Sequence, residues 1–238
     1  MQILITISFF GLWELFSHLE IINSFIFSSP SRILETLYNL HIEGNLWHHI
    51  WTTLRVILIS FTLGSLIGFS LAIIFYMLPM VKKIMDPFLT LINSLPKISL
   101  GPLLIIWLGA NMRTIIVMSL LINVIVTLIS IYNGLINTDP YKIKLFKIFK
   151  ASNYQILTKL VIPHNKETII SSFKLNISMT LIGVIMGEFL VSQAGIGFLI
   201  LYGTHVFNLT LVMSGIILIM IISFILYKSI TLLEKSLD

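Results

Sequence analysis

No cysteine occurs among the 238 residues, which excludes disulfides, thiolate-held metals and a cysteine nucleophile. Charge is almost as scarce: Asp, Glu, Lys and Arg together supply 11% of the chain, against about 25% in an ordinary soluble domain. Several functional signatures are missing too. No glycine-rich loop ends in Lys-Ser/Thr, so ATP is not handled by this chain. No nucleophile–base spacing stands out, and no catalytic residue or cofactor is expected. His48, His49 and His205 lack the carboxylate or further histidine that would complete a four-ligand metal set. No repeat and no low-complexity linker divides residues 1–238, which read as one domain.

What is present is oil. Hydrophobic residues make up 57% of the sequence and the mean hydropathy is +1.00. A globule of this size needs more polar surface than that, so the fold class is an all-α polytopic membrane protein with the bilayer as its solvent. The formal charge of +5 comes from small basic clusters between apolar runs. That pattern suits loops beside a membrane and not a nucleic-acid surface. The start MQILITISFFGLWELFSHLEII has neither a basic leader nor a small-residue cleavage site, so it reads as an uncleaved helix.

A crossing needs about 20 apolar residues, and six candidates lie at about 3–22, 51–78, 88–109, 113–136, 169–191 and 208–232. Glu14 and His18 weaken the first; Pro96, Lys97 and Pro102 interrupt the third; Glu188 lies inside the fifth. Six crossings put both termini on one side. With the termini cytosolic, 11 of the 15 basic residues are cytosolic, Lys174 and Lys228 being counted at the cytosolic ends of their spans, which leaves Arg32, Arg55, Lys97 and Arg113, as the positive-inside rule requires. Between the first two spans, Ile33, Leu34, Leu37 and Leu40 predict a short amphipathic helix on the outer face, with Trp47 and Trp51 at the interface.

The cytosolic loop at about 139–168, DPYKIKLFKIFKASNYQILTKLVIPHNKET, is the densest lysine cluster in the chain. Asp139-Pro140 is a helix start. Ile143, Phe146, Ile148 and Phe149 predict one apolar face, with Lys142, Lys144, Lys147 and Lys150 mostly elsewhere. A second short helix is expected on SNYQILTKLVI, capped by Ser152 or Asn153 and ended by Pro163. Two readings stay open on this pattern: a basic hairpin on the membrane surface, or a docking element for a partner. At about 30 residues the loop exceeds the usual 2–8 of a helix connection, which favours the second.

Other positions also admit two readings. Glu188 is a pathway-facing or gate-supporting carboxylate, or a helix-end residue paired with Arg113 or Lys97. Pro96-Lys97 is a broken helix lining a solute path, or a kink with Lys97 snorkelling outward. Gly195 and Gly197 are turn and close-packing glycines, or a ligand cradle.

The run from TDPYKIKLFKIFKASN through KLVIPHNKETIISSF to GEFLVSQAGIGFLI resembles the inner-membrane permease subunit of bacterial ABC importers. FSSPSRIL, TTLRVILISFTLGSLIG and DPFLTLINSLPKISLGPLLIIWLG extend the likeness from about Ser28 to Asp238, in the nitrate/sulfonate/taurine-type branch. The resemblance implies a type I importer fold in a bacterial-type inner (plasma) membrane, with two coupling helices entering a groove on a cytosolic ATP-binding subunit. It further implies two ATPase copies, a second permease copy forming a homodimer around the pathway, and an extracytoplasmic solute-binding protein. The solute would be a small anion such as a sulfonate or nitrate, or a vitamin precursor. Coupling roles would fall on Lys144, Phe146, Lys150, Ala151, Ser152, Tyr154, Leu157 and Pro163. Pathway or gate roles would fall on Pro96, Lys97, Glu188, Gly195 and Gly197.

Two departures stand out. The family's Glu-Ala-Ala falls on Lys144, Leu145 and Phe146, which reverses a charge, and its glycine falls on Lys150. A left-handed lysine costs about 1–2 kcal/mol, so the turn is expected on Ala151-Ser152, or the ATPase groove has diverged. The alternative class, a self-contained carrier or channel, needs coupling-ion residues at mid-membrane. Only Lys97 and Glu188 are candidates, and no inverted repeat is seen.

Overall fold

Apolar runs this long, with no water to satisfy their backbone, must close their hydrogen bonds locally, and the chain is helical almost throughout. The computed structural model describes residues 2–237. Three helices come first: α1 (Gln2–His18), α2 (Ser24–Phe27) and α3 (Pro30–Ile42). Then follow α4 (Asn45–Met77), α5 (Pro79–Ser94), α6 (Gly101–Leu108) and α7 (Met112–Ile136). Three short helices, α8 (Pro140–Ile148), α9 (Asn153–Ile156) and α10 (Ile162–His164), lead into α11 (Lys166–Val191), α12 (Ile196–His205) and α13 (Leu209–Leu237).

Six expected crossings become four, or five. Among the described residues α4, α7, α11 and α13 are long and apolar enough to cross a bilayer, and α5 with Lys97–Leu108 forms a pair bent by 87° that counts as a fifth. The segment expected to cross at 3–22 is helical over Gln2–His18. Its 17 helical residues rise about 25 Å. The second span is longer than expected, 33 residues beginning at Asn45.

The core is α7 held between α4 and α11. Lipid tails are as apolar as leucine, so helices in a membrane are drawn together by close packing and interhelical hydrogen bonds. Both are present. A Cβ on Gly64 would run into the Asn123 side chain, and one on Gly183 would lie 2.5 Å from the Ser119 backbone. Buried Asn123 donates to the Ser60 carbonyl (3.1 Å) and to Thr180 Oγ1 (2.8 Å). The Thr180 hydroxyl donates to Asn176 Oδ1 (3.1 Å), and Asn176 Nδ2 donates to Ser65 Oγ (2.9 Å). Apolar clusters sit at each end. One gathers Val56, Ile115, Val184 and Ile196; the other gathers Ala72, Ile131, Leu135 and Ile169 with residues of the 139–165 loop. The bundle therefore has a loop end and a far end.

Candidate functional site

At the loop end, Asp139 accepts the Tyr141 N–H (2.8 Å) and Pro140 opens α8. The helix closes with Lys150 at φ 55°. The Ala151 N–H reaches back to the Phe146 carbonyl (3.0 Å), and the Lys150 N–H to that of Lys147 (2.9 Å). This is a Schellman closure, usually built on glycine. The left-handed residue is thus Lys150 itself and not Ala151-Ser152, because only there do the bonds satisfy the last carbonyls of α8. Ser152 then caps α9 in a reciprocal box with Gln155, its Oγ accepting the Gln155 N–H (3.2 Å) and the Gln155 Oε1 accepting the Ser152 N–H (2.8 Å). Pro163 does not end the segment. A wide π turn, Leu157–Val161, precedes it and α10 continues through His164; such bulges accommodate a residue without an N–H.

Two stems hold the loop in place. Asn165 Nδ2 donates to Thr138 Oγ1 (2.7 Å) and to the Val161 carbonyl (2.8 Å). Ile156, Leu157 and Val161 are buried against Ala72, Ile131, Leu135 and Ile169, with Ile143, Phe146 and Ala151 half-buried beside them. The predicted single apolar face is therefore split. Ile148 and Phe149 turn outward, 76% and 77% exposed, together with Tyr141, Leu145 and Tyr154. Among the sequence candidates, Lys144, Lys150, Ser152, Tyr154 and Pro163 lie on the outer surface, whereas Phe146, Ala151 and Leu157 belong to the loop's root. Tyr141, Leu145, Ile148 and Phe149 are additions. Their signal in the sequence was a helix with more apolar residues than one face can bury.

At the far end, α11 stops at Val191 and the chain turns into α12 through Gly195, at φ 115°. A helix begins with N–H groups that have no partner inside it. Here three in succession are met by side chains from other helices. The Gly195 N–H donates to His49 Nδ1 (3.0 Å), the Ile196 N–H to Thr53 Oγ1 (2.7 Å) and the Gly197 N–H to Glu188 Oε2 (2.7 Å). The Thr53 hydroxyl in turn donates to Glu188 Oε1 (2.7 Å). Glu188 has no exposed surface, and negative charge is favoured at a helix N-terminus. The expected partners Arg113 and Lys97 are replaced by Thr53 and Gly197, and the carboxylate faces the protein interior. Gly195 and Gly197 are required by contact, since a Cβ at either would meet Glu188 at 2.5 and 2.8 Å. His49 and Thr53 had no signal in the sequence beyond their spacing of four.

The break at Pro96 is real. Lys97 Nζ donates to the Asn93 carbonyl (3.0 Å) and Oδ1 (3.3 Å), capping the last turn of α5. Its partner is Asn93, whereas Glu188 is bonded to Thr53 and Gly197, so Lys97 and Glu188 belong to separate hydrogen-bonded groups.

Residues 64–238 match the family described as "Binding-protein-dependent transport system inner membrane component". The chain is 29% identical over 219 residues to the "Probable ABC transporter permease protein" of Haemophilus influenzae, covering 92% of this chain and 89% of that one. It is 23% identical over 230 residues to the taurine transport system permease protein TauC of Escherichia coli, covering 94% and 84%. Its fold is similar to a chain of the inward-facing MetNI methionine ABC transporter, at a TM-score of 0.74 and 15% identity, over 83% of this chain and 98% of that one.

Proposed function

This chain belongs to the family of binding-protein-dependent transport system inner membrane components, the permease subunits of ABC transporters, and on that premise we propose how it works. Two copies enclose a solute pathway. A cytosolic ATPase docks on each 140–164 loop, and an external binding protein delivers solute at the far end. The loop and the C-terminal end of α13 face the cytosol, as the lysine distribution favours. The solute is a small anion such as a sulfonate or nitrate, or a vitamin precursor; similar permeases are named for aliphatic sulfonates, taurine and formylaminopyrimidine.

The observation that carries this reading is the two-sided loop. Its inner side is buried against the ends of α4, α7 and α11, and its outer side presents Tyr141, Leu145, Ile148, Phe149 and Tyr154 among lysines. A force on the outer side reaches three membrane helices through packed side chains, which transmit displacement because they are dense. Large exposed apolar side chains interspersed with charge are suited to a protein groove. Lys144 and Lys150 predict that this groove is more acidic than one matched to Glu and Gly.

Co-purification with the ATPase subunit tests this. Phe149→Asp and Tyr154→Asp should each abolish retention of the ATPase while leaving the permease folded in the membrane. Undiminished retention in both would remove the docking role.

A further inference from the structure

A cleft of about 460 Å³ lies between α5 and α7 toward the loop end, a size suited to one small molecule. On α5, Lys82, Asp86, Thr90 and Asn93 recur every three or four residues, which places them within about 80° of one another around the helix. Tyr132 and Asn133 of α7 line the same cleft. The other side of α5 carries Ile84, Phe88, Leu91 and Leu95, all exposed and apolar. Polar side chains on a membrane helix face protein or a water-filled space and not lipid, so the stripe marks the wet side of α5.

This wet side carries one positive charge in excess. Lys82 is neutralised, its Nζ lying 2.7 Å from Asp86 Oδ2. Lys97 is not. It stands at the break where α5 ends, and its Nζ donates to the carbonyl (3.0 Å) and Oδ1 (3.3 Å) of cleft-lining Asn93. Both acceptors are uncharged, and among the described residues no carboxylate pairs with it. An ammonium has three hydrogens, so one remains for a further acceptor. Accepting from Lys97 turns the Asn93 amide oxygen toward the cation and leaves the two Nδ2 hydrogens to donate elsewhere. A cation inside a membrane protein is costly without a counter-charge. Here donors and an unopposed charge meet beside an open space, a combination that an oxygen-rich anion complements.

We propose that the α5–α7 cleft is a solute subsite on the pathway, in which the oxyanion group of a small monoanion is held at Lys97 and Asn93, with Lys97 setting the preference for negative charge. The subsite rests on the permease reading above, and it narrows the solute range given there to the anions.

Because the chain has no cysteine, single thiols placed in the assembled transporter can be read without background. Thr90 and Ser94 line the cleft and donate their hydroxyls to the Asp86 and Leu91 carbonyls of their own helix. Thr90→Cys and Ser94→Cys therefore report on the site without removing one of its donors, and lipid-side Leu91→Cys is the reference. The variants are treated in membranes with sulfonatoethyl and trimethylammonioethyl methanethiosulfonates, each rate normalised to that of a free thiol in solution. Both cleft cysteines should label faster than the reference, and Ser94→Cys should favour the anionic reagent by about threefold or more. Adding Lys97→Gln should abolish that preference, and Lys97→Arg should restore it, since either long cation supplies the charge. An excess of ethanesulfonate at constant ionic strength should slow labelling of Ser94→Cys by about threefold or more, whereas its uncharged analogue ethyl methyl sulfone should not. Labelling no faster than Leu91→Cys would show that the cleft is dry and overturn the proposal. So would the lack of an anionic preference, a preference that survives Lys97→Gln or is not restored by arginine, and protection by both solutes or by neither. Labelling needs no ATPase, so a failure of docking and a failure of this subsite are distinguishable.

Discussion

At the scale of single residues, two positions contradict local preference and are held by their surroundings. Lys150 occupies the left-handed region that glycine would take freely. The two closing bonds of α8 offset the strain without removing it. Lys150→Gly is expected to raise stability by about 0.5–1 kcal/mol, the strain relief less the greater freedom of glycine in the unfolded chain. Lys150→Val should lower stability, and thermal unfolding of the purified chain orders the three. Thr53 is the second position. Its hydroxyl accepts from Ile196 and donates to Glu188, and all three groups are buried. Thr53→Val keeps the shape and strands both partners, at a cost of about 2–4 kcal/mol. Thr53→Ser keeps the hydroxyl and should retain most of the stability. A valine variant that melts with the wild type would show that α12 does not depend on this cap. Of these two positions the sequence pointed to one. The glycine-to-lysine departure was visible from a motif, but a threonine in an apolar helix carries no mark of what lies 143 residues later.

At the scale of elements, small residues decide which helices touch. Gly183 meets the backbone of Ser119 and not a movable side chain tip. Gly183→Ala therefore forces α7 and α11 apart, and is expected to cost about 1–3 kcal/mol, read as a lower melting temperature and reduced yield of folded protein in membranes. A variant of wild-type stability would mean that the two helices can separate freely at that level. The amphipathic loop was legible as two helices because caps and lysine spacing are local signals. The division of its apolar residues between root and outer surface was not, since it depends on where α4, α7 and α11 end. Where α1 ends was not legible for a related reason: hydropathy measures oiliness and not unbroken helical length.

At the scale of the whole molecule, the far end and the loop end are built differently, one around a buried carboxylate at a helix start and the other around a clasped loop. In a bilayer they should face opposite compartments. Single cysteines at Lys147 and Trp47 are expected to react with impermeant thiol reagents from the cytosolic and outer sides respectively. Labelling of Lys147→Cys from outside would invert the arrangement and remove the ATPase from its proposed seat.

Composition alone determined that the chain lives in a membrane, and its ordered motifs determined the transport family, because both are written in residue types and short spacings. Only the tertiary structure decided that Glu188 caps a helix instead of pairing with a cation. It also decided that Lys150 makes the turn and that the polar residues of α5 meet Tyr132 and Asn133 across a cleft. Each of these is a meeting of side chains far apart in the chain, set by how closely the helices pack, and no local pattern encodes that distance.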